Sequence, residues 1–270
     1  MVIHTRVRSG AAGLGVLALV ALILLSGCSL FTGRPDTIPP AAALYADAER
    51  ELAKGRHDAA RDSLRKILER HPDASQVPEA RFLMGESYFR DHEYDRAVKE
   101  FETFLAYYPA HRIADLAQYR LARSYFDAMP TVERDQGITA KGLAEFKKLL
   151  KQYPESRYAP DAIAKIDACR LRLAEKELWI ADYYVRQGNF QAALQRYDVI
   201  LKDYPHTAAA PQALFQKADA LTRLGRREEA QNTLRQLVDE FPASEWSRRA
   251  RERQSGFLPG APAHGDFRDA

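Results

Sequence analysis

Cys28 follows Leu25-Ser26-Gly27 directly, and its thiol is the one nucleophile in the sequence whose neighbours specify a reaction. Ser26 and Gly27 are small enough to enter a peptidase cleft, and a cysteine thiolate is a ready nucleophile toward a lipid donor. The other groupings able to do chemistry fail on spacing. A phosphate cradle needs glycines after a strand and a following Lys-Ser or Lys-Thr, and Gly10 to Gly15 offers neither. The seven histidines are scattered, with no His-Glu-x-x-His or Cys-x-x-Cys setting, so no zinc site is expected. Gly85-Glu86-Ser87-Tyr88 lacks the second glycine of a serine nucleophile elbow. Glu228-Glu229 is a carboxylate pair of the kind that helix surfaces carry, not an arrangement for general acid work. With Cys28 modified, Cys169 is the remaining cysteine, so no internal disulfide can form and Cys169 is expected to be a small core residue. The sequence therefore predicts no enzyme, no metal and no cofactor. What remains is recognition by surfaces.

The segment before Cys28 supports the reaction read at that residue. His4, Arg6 and Arg8 precede an apolar run from Ala11 to Leu25, too short for the roughly 20 apolar residues of a spanning helix. Leu25-Ser26-Gly27-Cys28 resembles the bacterial lipobox, in which the cysteine receives diacylglycerol before the leader is cut. Residues 1–27 are then a lipoprotein signal peptide, and residues 28–40, with Gly33, Pro35, Pro39 and Pro40, a lipidated tether. Each buried methylene contributes about 0.8 kcal/mol, so the three chains that lipoprotein families carry hold a protein firmly to a membrane. Lipoproteins retained at the inner membrane usually carry Asp after the cysteine; Ser29 stands here, which points to the outer membrane, facing the periplasm. Losing Arg6 and Arg8, with no acid, takes the formal charge from +3 to about +1, and so balanced a chain gives no electrostatic case for nucleic acid.

The anchored body is repetitive. Arg70-His71-Pro72, Tyr107-Tyr108-Pro109, Gln152-Tyr153-Pro154, Asp203-Tyr204-Pro205 and Glu240-Phe241-Pro242 recur along it. Twelve residues before each proline stands a small residue: Ala60, Ala97, Gly142, Ala193 and Ala230. Eight before stands Leu64, Phe101, Phe146, Tyr197 or Leu234; five before stands Ile67, Phe104, Leu149, Ile200 or Leu237. Offsets of three and four put each set on one helical face, with the small residue where a partner helix must approach closely. A second small position, Ala48, Gly85, Ala181 and Ala218, falls 24 residues before the proline on a preceding helix. Proline stops each second helix, because it cannot donate and disfavours the helical region in the residue before it.

Helix, turn, helix and proline, with these small and bulky positions, resemble the tetratricopeptide repeat. The expected fold is all-α, a right-handed solenoid of five helical hairpins over residues 41–253, since stacked pairs bury faces that one pair cannot. A long helix near 160–187 joins two halves, with a solvated charged face of Lys165, Arg170, Arg172, Glu175 and Lys176. Residues 254–270, rich in Pro and Gly, are expected to be a disordered tail. In tetratricopeptide families the groove-facing positions fall on Tyr45 and Glu49 in repeat one, and on Glu79, Phe82, Glu86 and Phe89 in repeat two. Phe82 and Phe89, seven apart, form either a bed for an extended peptide or packing between adjacent repeats.

A more specific resemblance begins in repeat three. Pro109-Ala110-His111, Asp115, Tyr119, Arg134-Asp135-Gln136, Tyr153-Pro154-Glu155-Ser156-Arg157-Tyr158 and Ala181-Asp182-Tyr183-Tyr184 are similar to the BamD family, also called ComL. The resemblance implies a non-catalytic lipoprotein subunit of the machinery that assembles outer-membrane β-barrels. It implies partners too: the POTRA domains of the barrel subunit BamA, other subunits of that machinery, and unfolded barrel clients. Client engagement would fall on the amino-terminal repeats around Asp58 and His71, and subunit contact on Arg196, in Gln195-Arg196-Tyr197. An arginine fork pairs with a carboxylate in a way lysine does not reproduce. The alternative is a periplasmic adaptor similar to CpoB, coordinating peptidoglycan synthesis with envelope constriction, although no heptad run precedes Ala41.

Overall fold

Five helices stop at the same backbone step. At His71, Tyr108, Tyr153, Tyr204 and Phe241, each just before a proline, φ lies between −129° and −133° and ψ between 40° and 63°. That step leaves the helical region, as a residue before proline must. In a computed structural model the structure describes residues 38–256, with side chains to Arg253. Cys28, the leader, the tether up to residue 37 and the tail from residue 257 lie outside the described residues.

Among the described residues eleven helices follow one another: α1 Ala41–Ala53, α2 His57–Arg70, α3 Val77–Arg90, α4 Tyr94–Tyr107, α5 Ala114–Asp127, α6 Gly137–Gln152, α7 Ala159–Arg186, α8 Phe190–Asp203, α9 Ala209–Arg223, α10 Arg227–Glu240 and α11 Glu245–Gly256. No strand occurs among the described residues. The helices form five hairpins closed by α11, a tetratricopeptide solenoid. The last helix runs on to Gly256, three residues past Arg253, where the sequence suggested the tail begins. Hairpins turn through a left-handed residue, Gly55 at φ 71°, Gly188 at 73° and Gly225 at 76°. In the second unit His92 takes that place at φ 60°, and its Nδ1 lies 2.8 Å from the Tyr94 hydroxyl. Glycine meets such a φ without a Cβ penalty, which is why three of these four turns use it.

The small and bulky positions read from the sequence build the core. Ala48, Ala60, Ala97, Ala181 and Ala193 are fully buried, as are Leu64, Phe101, Phe146, Ile67, Phe104, Leu149, Ile200 and Leu237. Cys169 is equally buried, and burial pushes its thiol up to about 11. Apolar clusters bridge every hairpin to the next, so no unit stands alone. First helices of neighbouring units pack directly, α3 on α5, α5 on α7 and α7 on α9, whereas second helices lie further apart. The first helices therefore line the concave side.

One expectation is corrected. The charged face of α7 is not simply solvated. Arg172 Nη1 donates to the Pro130 carbonyl at 2.7 Å, Lys176 Nζ donates to the Glu133 carbonyl at 3.0 Å, and Lys165 Nζ sits 4.6 Å from the Phe126 ring centre. The first two contacts hold the 128–136 insertion of the third unit against α7, and the third joins α7 to the end of α5. Gln136 Nε2 ties the insertion internally by donating to the Thr131 carbonyl at 2.8 Å.

Candidate functional site

The small residue on each first helix sets the register of the concave face. Residues just after it point toward the next first helix, and in that helix residues two before its own small position point back. Glu86, after Gly85, thus meets Arg120, two before Ala122: Arg120 Nη2 donates to Oε1 at 3.1 Å and Nε lies 2.9 Å from Oε2. Arg90 Nε approaches the same carboxylate at 3.4 Å. Glu86 is buried, so the expectation of a free groove acid is corrected; its charge is satisfied within the protein.

For Phe82 the structure decides between the two readings. Only 8% exposed, its ring packs 5.6 Å from Phe101 and 6.1 Å from Phe104, between the two helices of its own hairpin. Packing, not peptide contact, accounts for it. Phe89 remains half-buried at the surface, edge-on to Tyr94 at 5.6 Å, with the Arg120 guanidinium 5.1 Å over its ring.

In the first unit Tyr45 is half-buried and Glu49 exposed. Burial pushes the Tyr45 hydroxyl up to about 12, with the Glu49 and Glu79 carboxylates adding to the shift. Glu79 accepts from Arg112 Nη2 at 3.0 Å, and His111 Nε2 lies 3.4 Å away. Tyr45, Glu49 and Glu79 thus form a polar and aromatic cluster between α1 and the start of α3, and Phe89 marks the other end of α3, the whole making a strip along this face. It continues onto α5, where Tyr119 donates to Asp161 Oδ2 at 2.8 Å, accepts from Arg123 Nη1 at 3.1 Å and stacks on Tyr158 at 4.6 Å. Sequence reasoning missed Arg112, Arg120 and Arg123: the first two pair with acids 33 and 34 residues back, three or four short of the 37-residue repeat, and Arg123 pairs within its own helix with Tyr119 and Asp127.

Asp58 and His71 sit at opposite ends of α2 and are not brought together with the strip. Asp58, its side chain 98% exposed, pairs with Arg61. His71 Nε2 donates to the Pro39 carbonyl at 2.9 Å and so ties the approach to α1 onto the end of α2. Arg61 also donates through Nη1 to Asp91 Oδ2 at 2.6 Å, while His57 Nδ1 contacts the other oxygen; this pins the first hairpin to the second. Arg196 lies on α8, away from the strip, half-exposed and 3.3 Å from Glu177 Oε2.

Nothing in this face brings a nucleophile against a base. It offers ion pairs, phenols and one half-buried ring, which suit contact with another chain. Among the described residues no helix is long and apolar enough to cross a membrane. A family model described as YfiO, outer membrane lipoprotein, matches residues 39–235. Three relatives named outer membrane protein assembly factor BamD are similar over most of their length. The one from Vibrio cholerae is 30% identical, covering 83% of this chain and 96% of the relative. That from Rickettsia prowazekii is 29% identical over 84% and 91%, and that from Caulobacter vibrioides 28% over 89% and 80%.

Proposed function

Because this chain belongs to the YfiO family of outer membrane lipoproteins, we propose that it is a non-catalytic subunit of the outer-membrane β-barrel assembly machinery. In this reading lipid on Cys28 holds the solenoid at the periplasmic face of the outer membrane. The concave strip receives unfolded barrel clients, and the outer side of α8, at Arg196, meets a POTRA domain of the barrel subunit.

The observation that carries the reading is the strip itself. Tyr45, Glu49, Glu79 and Phe89 line two packed hairpins, and Tyr119 and Asp161 extend the line onto the third and fourth. Neighbouring helix axes lie about 8–10 Å apart, so the four first helices that carry these residues span roughly 24–30 Å. An extended chain rises about 3.3 Å per residue, so that length accommodates about seven to nine residues, close to one barrel strand. Hydroxyls and carboxylates along it match unpaired backbone N–H groups of such a strand, and the half-buried ring of Phe89 offers an aromatic contact.

Depleting the protein tests the reading. The abundance of barrel proteins in the outer membrane should fall several-fold while lipoproteins of the same membrane persist. Unchanged barrel levels would contradict it.

A further inference from the structure

The register that joins Glu86 to Arg120 recurs in the later repeats. Asp219, after Ala218, meets Arg253 on α11, again 34 residues on. Asp182, after Ala181, meets Gln216 at the same spacing, with Nε2 3.4 Å from Oδ1. Of these three carboxylates, Asp182 alone faces an uncharged amide. Burial pushes its carboxyl above the usual range, and Arg186, one turn on along α7, offsets this only from a distance. The rung lacks its cation.

A cleft of about 470 Å³ opens onto this rung, lined among others by Asp182, Tyr197, Gln216, Asp219, Arg223 and Arg253, with Phe190 at its wall. Two polar groups in it have no partner among the described residues. Gln216 Oε1 is buried and accepts no hydrogen bond. Tyr197, 1% exposed, makes no side-chain hydrogen bond, and burial with the Asp182 charge keeps its hydroxyl protonated. Packing does not ask for that oxygen: the equivalent places in the other repeats hold Leu64, Phe101, Phe146 and Leu234. Buried polar groups are ordinarily hydrogen-bonded, so an amide oxygen and a phenol without partners, beside a carboxylate held by one long amide bond, describe a site short of donors.

We propose that this cleft, between the fourth and fifth repeats, receives an arginine side chain from an extended segment of a partner protein. The planar guanidinium donates to the Asp182 carboxylate, Gln216 Oε1 and the Tyr197 hydroxyl oxygen, while Phe190 flanks the methylene stem. Arginine fits better than lysine because three separated acceptors need a fork of donors, not a point charge. The chain itself supplies a precedent on the far wall, where the Arg253 guanidinium pairs with Asp219 and lies 5.8 Å from the centre of the Phe215 ring. The inference does not rest on the barrel-assembly reading, since it names a side chain and not a machine.

The test uses the full chain purified in detergent, titrated with fluorescein-labelled Gly-Ser-Arg-Ser-Gly and with versions carrying lysine or citrulline in place of arginine. The arginine peptide should bind saturably and at least about tenfold more tightly than the citrulline peptide. Asp182→Asn should weaken it about tenfold and Tyr197→Phe several-fold, while Asp239→Asn, on the exposed side of α10, leaves it unchanged. Tyr197→Phe removes an oxygen that makes no hydrogen bond in the protein, so its melting temperature should stay close to the wild-type value, and it tests the site even if Asp182→Asn folds poorly. Equal binding of arginine and citrulline peptides, or of arginine and lysine peptides, would overturn the proposal. So would the absence of saturation into the millimolar range, or binding indifferent to Tyr197→Phe.

Discussion

Arg120 and Glu86 belong to different repeats, yet Arg120 Nε lies 2.9 Å from Glu86 Oε2, and the Glu86 side chain is only 8% exposed. Removing the cation strands a buried carboxylate. Arg90, 3.4 Å away but 46% exposed, offsets this only in part. Arg120→Met is expected to cost about 3 kcal/mol, and the double change Glu86→Gln with Arg120→Met to recover most of that loss. Urea unfolding of the four proteins in the cycle measures the coupling. Additive losses would contradict the buried pairing.

Gly85 gives a packing prediction. A Cβ added there would lie 2.7 Å from Cε1 of Phe101, a ring with no exposed surface, whereas at Gly142 the nearest atom, Tyr125 Cβ, lies at 3.3 Å. Overpacking costs about 1–3 kcal/mol, against a gain of about 1 kcal/mol in helix propensity from glycine to alanine. Gly85→Ala should therefore lose up to about 2 kcal/mol, Gly142→Ala much less, and Phe101→Leu should restore part of the Gly85→Ala loss. Urea midpoints in the reverse order would contradict the close approach of α3 and α4.

These two cases mark what the sequence made legible. Gly85 is recognisable because close helix approach demands a small residue at a fixed distance from each proline, and local spacing carries that information. The same logic located the helices and the buried face of every second helix. Arg120 was not legible, because pairing across 34 residues depends on how successive hairpins stack. For that reason Glu86 read as a free groove acid, and Phe82 stayed undecided between groove and packing. Lys176 read as solvated because its acceptor, the Glu133 carbonyl, comes from an insertion whose path periodicity does not describe.

Arg196 gives a binding prediction. Its contact with Glu177 at 3.3 Å, with the arginine side chain 38% exposed, is a surface pair worth less than about 1 kcal/mol to the fold. Arg196→Glu should leave the melting temperature within a few degrees of wild type, yet weaken the complex with a POTRA-bearing partner by more than about tenfold. Arg170→Glu, on α7, serves as the control for charge alone. Equal weakening by both variants would remove Arg196 from the interface.

The central claim, that the lipidated solenoid works as a subunit of the barrel-assembly machinery, meets its most direct test in affinity purification of the full chain from detergent-solubilised envelopes. The account predicts that a barrel protein bearing POTRA domains co-purifies in stoichiometric amount and is lost when Arg196→Glu is the bait. Recovery of the chain without any such partner, from envelopes where the barrel protein is abundant, would contradict it.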